Sequence, residues 1–156
     1  NDLKEFCNTN GLLFSRYADD LTFSADTLIS NDTVLDIINL IKKNNFQINE
    51  KKLRLKSSNR KQTVTGLTVN EKVNVDRKLL KKIRAMLHDM TTNGIDTATQ
   101  RHFNFRGEIE IQHRAKFIHR LEGYINFVGQ VRGKSDGLYF KQKTLFDSLF
   151  KSKNNE

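Results

Sequence analysis

Two adjacent carboxylates, Asp19 and Asp20, lie between two short apolar stretches in the segment FSRYADDLTFSA. Hard divalent cations such as Mg²⁺ take carboxylate oxygens, substrate phosphates and water as ligands. Two such ions about 3.5–4 Å apart can stabilise the attacking and leaving oxygens of a phosphoryl transfer. The pair is therefore a candidate metal site. Taken alone, however, it is better interpreted as a solvated turn, because Asp is favoured in turns for its own reasons.

The elements around the pair decide whether both acids can act together. The flanking stretches LLFSRY and LTFSA are short and rich in Leu, Phe and Thr, which predicts two strands joined at ADD. Neighbouring residues within a strand point to opposite faces of the sheet. At a hairpin turn the chain reverses, so Asp19 and Asp20 can both present oxygens at one end of the sheet.

The first half of the chain predicts a mixture of helices and strands. We expect a helix from Asn1 to Thr9 and a second helix from Asp32 to Asn45, capped by Ser30, Asn31 or Asp32. Further strands are predicted in NNFQINE, LRLK, QTVTGLTVN and KVNVD.

From Asp76 onward the pattern becomes helical. Asp76 is expected to cap a helix that TTNGID ends, and a short helix is predicted from Ala98 to Phe103. Two longer helices follow, separated by RGKSDG, and the terminal KSKNNE is expected to fray. The predicted fold class is α+β, with one lobe at residues 1–75 and a helical lobe at 76–156.

Composition points to a polyanionic partner. The formal net charge of the 156 residues is +9, which makes nucleic acid the leading candidate. The sequence contains no long apolar span, which makes an anionic membrane a less favoured partner. The single cysteine, Cys7, fits a reducing compartment and a buried helix position. The first residue is Asn rather than Met, so we expect a piece of a longer chain.

The sequence Tyr17-Ala18-Asp19-Asp20 resembles the Y-x-D-D box of reverse transcriptases. The longer RYADDLTFSA is similar to the version found in bacterial enzymes of the retron and group II intron kind. INEKKLR, with Asn49 and Lys52, resembles the family's motif D. Val64-Thr65-Gly66 resembles the V-T-G triplet of retron enzymes. The resemblance extends over essentially the whole chain and implies a partial polymerase palm, an antiparallel sheet with helices, followed by a small helical thumb.

The resemblance also implies roles for individual residues. Asp19 would bind catalytic Mg²⁺, one of two ions in the full active site, and Asp20 would be a weaker or more distant contributor. Tyr17 would lie near the incoming dNTP and the primer end. Lys52 would approach the nucleotide's phosphates, as a general acid for pyrophosphate release. Leu67 and its neighbours Val64, Thr65 and Gly66 would form a hairpin that positions the primer.

One part of the family pattern has no counterpart. The family needs another metal-binding aspartate on an earlier strand, and nothing before Gly11 can supply it. Because a two-metal mechanism takes ligands from both segments, we expect the isolated chain to be unable to polymerise.

Basic residues accumulate in three stretches that a duplex could contact. Phosphate contacts dominate non-specific affinity and make it salt-dependent. An RNA–DNA hybrid would be recognised mainly by shape and backbone. A solvated face remains the alternative for any single lysine. The candidate contacts that we name are Arg54, Lys78, Lys81, Lys82, Lys116 and Arg120.

Other functional readings stay open. A non-catalytic nucleic-acid-binding module, with the acid pair as a plain turn, is the main alternative, and a metal-dependent nuclease ranks lower. The four histidines and Cys7 form no zinc pattern. The resemblance implies a cytoplasmic bacterial protein and, in the retron case, a cognate structured RNA and a part in antiviral defence. The pattern leaves retron and group II intron subtypes undecided.

Overall fold

The computed structural model describes residues 2–151 and confirms the predicted α+β class. The chain forms two compact units, an N-terminal unit (Asn1–Thr65) and a helical unit (Gly66–Glu156). In chain order the elements are α1 (Asp2–Thr9), β1 (Leu13–Tyr17), β2 (Asp20–Ser24), α2 (Asn31–Lys43), a 3₁₀ turn (Glu50–Lys52), β3 (Thr63–Val64), β4 (Leu67–Thr68), α3 (Arg77–Phe103), α4 (Ile111–Arg132) and α5 (Gly137–Lys151).

The core of the N-terminal unit lies between a hairpin and two helices. Cys7, Leu12 and Ile37 are buried together, which confirms the prediction for Cys7. Strands β1 and β2 pair antiparallel, and the rings of Phe14 and Phe23 stack at 5.4 Å on the face that packs against this cluster. Since a two-stranded hairpin is marginal in water, packing against α1 and α2 must stabilise it.

Helix α2 begins as predicted, because the Ser30 side chain accepts a hydrogen bond from the backbone N–H of Thr33. The strand predicted in NNFQINE is wrong: these residues are irregular up to the 3₁₀ turn. LRLK also forms no strand, and Leu53 and Leu55 are exposed. The residues in KVNVD contribute only a bridge between Thr68 and Asn74. Without a partner strand, β-favouring residues cannot complete their backbone hydrogen bonds.

The helical unit has the larger core. Helices α3, α4 and α5 bury a common apolar cluster whose fully buried members are Ile83, Met86, Ala98, Phe117, Leu121, Ile125 and Val128. The predicted cap is confirmed, since Asp76 Oδ1 accepts from the Lys78 backbone N–H at 2.6 Å. The unit starts earlier than the change predicted at Asp76, and Val75 is buried in its core.

The helix is interrupted within TTNGID, as predicted. The range Arg77–Phe103 of α3 comprises two helical segments that meet at Gly94, whose φ of 79° and ψ of 168° are not helical, and the second segment includes the predicted helix from Ala98 to Phe103. Asp89, before the kink, accepts hydrogen bonds from Arg101 at 2.7 Å and contacts His102 at 2.9 Å, both after it. These long-range contacts hold the two halves of α3 together.

Two remaining sequence expectations concern the C-terminal segment and a membrane span. Of the predicted frayed segment KSKNNE, residues 152–156 lie outside the described part of the chain. Across residues 2–151, none of the helices combines the length and the apolar character needed to span a membrane.

Acidic pH should destabilise the helical unit, because two of its paired aspartates become protonated. Burial alone would raise the pKa of Asp89, but hydrogen bonds from Arg101, Asn93 and His102 lower the pKa overall. The hydrogen bond from Arg132 lowers the pKa of Asp136 against the opposing effect of burial. A carboxyl with a lowered folded-state pKa contributes stability above its unfolded pKa of about 4, and this is lost as the pH falls through the lower, folded value.

We therefore expect the melting temperature of the chain to fall steeply below about pH 4. Asp136→Asn should lower it at pH 7 and make the fall below pH 4 shallower. Thermal unfolding followed by circular dichroism at pH 7, 4 and 3 measures both effects, with the exposed Asp26→Asn as the matched control. Parallel curves for wild type and Asp136→Asn would contradict the role of Asp136.

Candidate active-site hairpin and basic surfaces

The acid pair lies at the tip of the β1–β2 hairpin. Ala18 and Asp19 form a two-residue turn, and Asp20 is the first residue of β2, directly opposite Tyr17. The sequence placed both acids in the connection, so the position of Asp20 in the strand refines that prediction. Both acids are exposed at the same end of the sheet.

Strand register fixes which side chains share a face. Directly opposed residues of an antiparallel pair lie on the same side, so Tyr17 and Asp20 share the face opposite Phe14 and Phe23. That face lies away from the core of the N-terminal unit, and Tyr17 is 71% exposed. A phenol ring and a carboxylate are therefore presented together to solvent, beside the turn residue Asp19.

No lysine or arginine of residues 2–151 neutralises the acid pair. Within the described part of the chain, neither Asp19 nor Asp20 takes part in a hydrogen bond or an ion pair made by its side chain. Asp89, Asp96 and Asp136, by contrast, are paired with arginines. Carboxylates that no Lys or Arg neutralises can bind a hard cation directly.

A second turn contains the predicted Lys52. The side chain of Asn49 accepts from the Lys51 backbone N–H at 3.2 Å and so caps the 3₁₀ turn that carries Lys52. Arg54 Nη1 donates to the carbonyls of Lys51 and Leu53 at 2.7 and 2.8 Å. Lys52 is exposed, whereas Arg54 is partly used in holding its own loop.

The Val64-Thr65-Gly66 triplet forms a second tight hairpin with Leu67. Strands β3 and β4 pair around Thr65 and Gly66, which have φ of 46° and 85°. Positive φ at both central residues is the pattern of a type I′ turn. A β-branched residue at positive φ is strained, and such strain clusters at functional sites.

Comparison with known proteins finds two similar retron enzymes. The retron Mx65 reverse transcriptase of Myxococcus xanthus is 37% identical over 79 residues, 50% of this chain and 18% of that enzyme. The retron Ec86 reverse transcriptase of Escherichia coli is 29% identical over 135 residues, 85% of this chain and 36% of that enzyme. The chain is thus similar over part of its length to two bacterial retron reverse transcriptases.

The match is partial in both directions. The chain spans well under half the length of these retron enzymes. No family model matches it, and no solved structure matches it significantly. The predicted resemblance to retron reverse transcriptases is confirmed, while palm, thumb and the roles of single residues stay predictions.

The basic residues of the helical unit differ in what they contact. Lys82 Nζ donates to the Tyr124 hydroxyl at 3.2 Å and lies 5.0 Å from the centre of that ring, so it ties α3 to α4. Arg120 lies 4.5 Å from the Phe103 ring centre. Lys78, Lys81 and Lys116 are exposed.

Two further arginines of α3 extend this surface. Arg77, Lys81 and Arg84 are spaced i, i+4 and i+7 on α3, which places them along one face of the helix. All three are exposed, and within residues 2–151 none has a side-chain hydrogen bond or ion pair. The helical spacing was the available signal for this face, which we call the α3 basic stripe.

Proposed function

We propose that this chain is part of an RNA-directed DNA polymerase, which extends a primer 3′-hydroxyl with dNTPs on an RNA template. The observation that carries the proposal is the exposure of two unneutralised carboxylates, Asp19 and Asp20, at the tip of one hairpin. The relationship to retron reverse transcriptases supports it. In this proposal the N-terminal unit belongs to the palm and the helical unit is the thumb.

The donor set of the hairpin fits Mg²⁺. Carboxylate oxygens are the ligands that this ion takes from proteins, together with substrate phosphates. Asp19 would bind the ion directly and Asp20 would contribute more weakly. When bound, two Mg²⁺ ions would supply charge stabilisation to the attacking and leaving oxygens.

The remaining residues would bind and orient substrates. Tyr17 shares its face with Asp20 and would lie against the nucleotide and the primer end. Exposed Lys52 would meet the phosphates and donate a proton to the leaving pyrophosphate. Val64, Thr65, Gly66 and Leu67 would form the hairpin that holds the primer.

The carboxylate set is incomplete for a two-metal centre. Among residues 2–151, there is no cluster of three or more His, Cys, Asp and Glu side chains that could hold a metal ion. We therefore propose that the full-length protein supplies a further carboxylate. A cognate structured RNA as a second partner, a part in antiviral defence and a location in the bacterial cytoplasm belong to the same proposal.

The isolated 156-residue chain is expected to show no primer extension, whereas the full-length protein extends a DNA primer on an RNA template with Mg²⁺. Incorporation of labelled dNTP measures both. Adding the missing portion as a separate polypeptide is the control that tests whether the loss lies in the absent segment. Clean extension by the isolated chain would overturn the proposal of an incomplete centre.

Binding of an RNA–DNA hybrid should be strongly salt-dependent. Each phosphate contact that is lost should reduce the slope of log K against log salt by about 0.7–0.9. Lys81→Ala and Arg84→Ala, on the α3 basic stripe, should each show this decrease in fluorescence anisotropy titrations from low to moderate salt. Lys141→Ala, an exposed lysine on α5, makes the same charge change elsewhere and should leave the slope unchanged.

A non-catalytic nucleic-acid-binding module is the second candidate, because the α3 basic stripe would serve it equally well. It requires no metal at Asp19. Loss of DNA synthesis without loss of binding on substitution of Asp19 separates the two functions.

A further inference from the structure

Arg16 contacts the turn that presents the acid pair. Its Nε donates a hydrogen bond to the carbonyl oxygen of Ala18 at 2.8 Å. Arg16 itself lies opposite Leu21 in the strand register, so its side chain reaches past the end of β1 to the turn. This is its one side-chain hydrogen bond within the described residues, and Arg16 is exposed.

The accepted carbonyl belongs to the central peptide of the turn. The Ala18 carbonyl and the Asp19 N–H are part of one planar unit, so fixing the carbonyl also fixes the direction in which the chain enters Asp19. Rotation of this central peptide is what interconverts type I′ and type II′ hairpin turns. Ala18 has a φ of 51°, whereas the φ of Asp19 is not positive. Positive φ at the first position only is the pattern of type II′.

This turn has an unusual sequence for its geometry. Type II′ turns place glycine at the first central position, where this chain has Ala18. An L-residue with a side chain at positive φ is strained unless its surroundings hold it. Within residues 2–151, Ala18 and Thr65 are the two positive-φ residues that are neither glycine nor asparagine.

We propose that Arg16 is a positioning residue: its Nε–H holds the central peptide of the Ala18–Asp19 turn in one of its two orientations and thereby aims the Asp19 carboxylate. This inference rests on the proposed polymerase function. Arg16 acts through the turn and touches neither metal nor nucleotide in this role. Without it, the peptide can rotate and Asp19 loses a fixed direction.

Three substitutions separate the hydrogen bond from the charge. Arg16→Gln keeps an N–H at the same distance along the side chain as Nε and removes the charge. Arg16→Lys keeps the charge and removes that donor, and Arg16→Met removes both. If Arg16 aims Asp19, Arg16→Gln keeps most of the activity, whereas Lys and Met variants lose on the order of ten- to a hundredfold in kcat, as expected for misplaced catalytic groups.

A compensating substitution tests the turn directly. Ala18→Gly gives a Gly-Asp turn, which favours type II′ without outside help. Ala18→Gly combined with Arg16→Met should therefore recover activity to within about threefold of the Ala18→Gly variant, since the remaining misplacement is small. A residue that binds a phosphate through its charge would show the opposite pattern: Arg16→Lys would be tolerated, Arg16→Gln would not, and Ala18→Gly would rescue nothing.

The experiment is primer extension by the full-length protein, with kcat and the Mg²⁺ concentration at half-maximal rate measured for each variant. A raised Mg²⁺ requirement in Arg16→Met that Ala18→Gly reverses supports the inference. Scalar couplings of Asp19 in the isolated chain report its φ and should change in Arg16→Met. Asp19→Asn is assayed alongside: if it leaves extension intact, the proposed function fails. If Asp19→Asn abolishes extension while Arg16→Lys and Arg16→Gln have the same kcat, only the role of Arg16 is overturned.

Discussion

Asp19→Asn in the full-length protein should abolish DNA synthesis while leaving RNA–DNA hybrid binding nearly unchanged. Asparagine keeps the size of the side chain and removes the charge that a hard cation requires. Loss of several kcal/mol of transition-state stabilisation corresponds to a decrease in kcat on the order of a thousandfold. Single-turnover primer extension measures the chemical step, and fluorescence anisotropy with a labelled hybrid measures binding.

Two matched variants sharpen this test. Asp20→Asn should cause a smaller decrease, because Asp20 lies in β2 opposite Tyr17 and is proposed as the weaker contributor. Asp26→Asn removes an exposed carboxylate after the same hairpin and should leave kcat unchanged. Full activity of the Asp19→Asn protein would remove the enzyme proposal for this hairpin and leave the nucleic-acid-binding module.

The hairpin was predictable from local information. Alternating residues such as Phe14 and Phe23 mark one face, and the Asp-containing connection between them marks a turn. Helix α2 was likewise predictable from its capping residue Ser30 and from apolar residues at helical spacing, of which Ile37 is buried. These features depend on neighbours within a few positions, which is the range over which sequence patterns operate.

The features that were missed depend on partners far along the chain or on fine backbone geometry. TTNGID marks the break at Gly94, but the sequence did not show that Asp89 joins Arg101 and His102 across this break. No periodicity reveals such a polar cluster. The hydrogen bond from Arg16 to the Ala18 carbonyl joins residues that are close in sequence. It forms only when the peptide group between Ala18 and Asp19 has one orientation, and residue types do not specify that orientation.

Gly129→Ala should destabilise the helical unit, although alanine is normally the better helix residue. A Cβ at position 129 would lie 2.6 Å from Cε2 and 2.8 Å from Cδ2 of Tyr139, closer than real contacts allow. Overpacking of this kind costs about 1–3 kcal/mol, against a gain of up to about 1 kcal/mol in helix propensity. We expect a net loss of about 1–2 kcal/mol, measured as the free energy of unfolding in urea.

Gly123 is the matched control: it lies in the same helix α4, and among the described residues no side chain or other element comes within 4 Å of its would-be Cβ. Gly123→Ala should stabilise the chain by about 0.5–1 kcal/mol, the propensity gain alone. Opposite signs for the two variants would show that the close approach of α4 and α5 requires a glycine at 129. In a double-mutant cycle, Tyr139→Ala should remove most of the penalty of Gly129→Ala, because the ring that clashes is gone. A stabilising Gly129→Ala, or a cycle without coupling, would contradict the packing of Tyr139 against this helix.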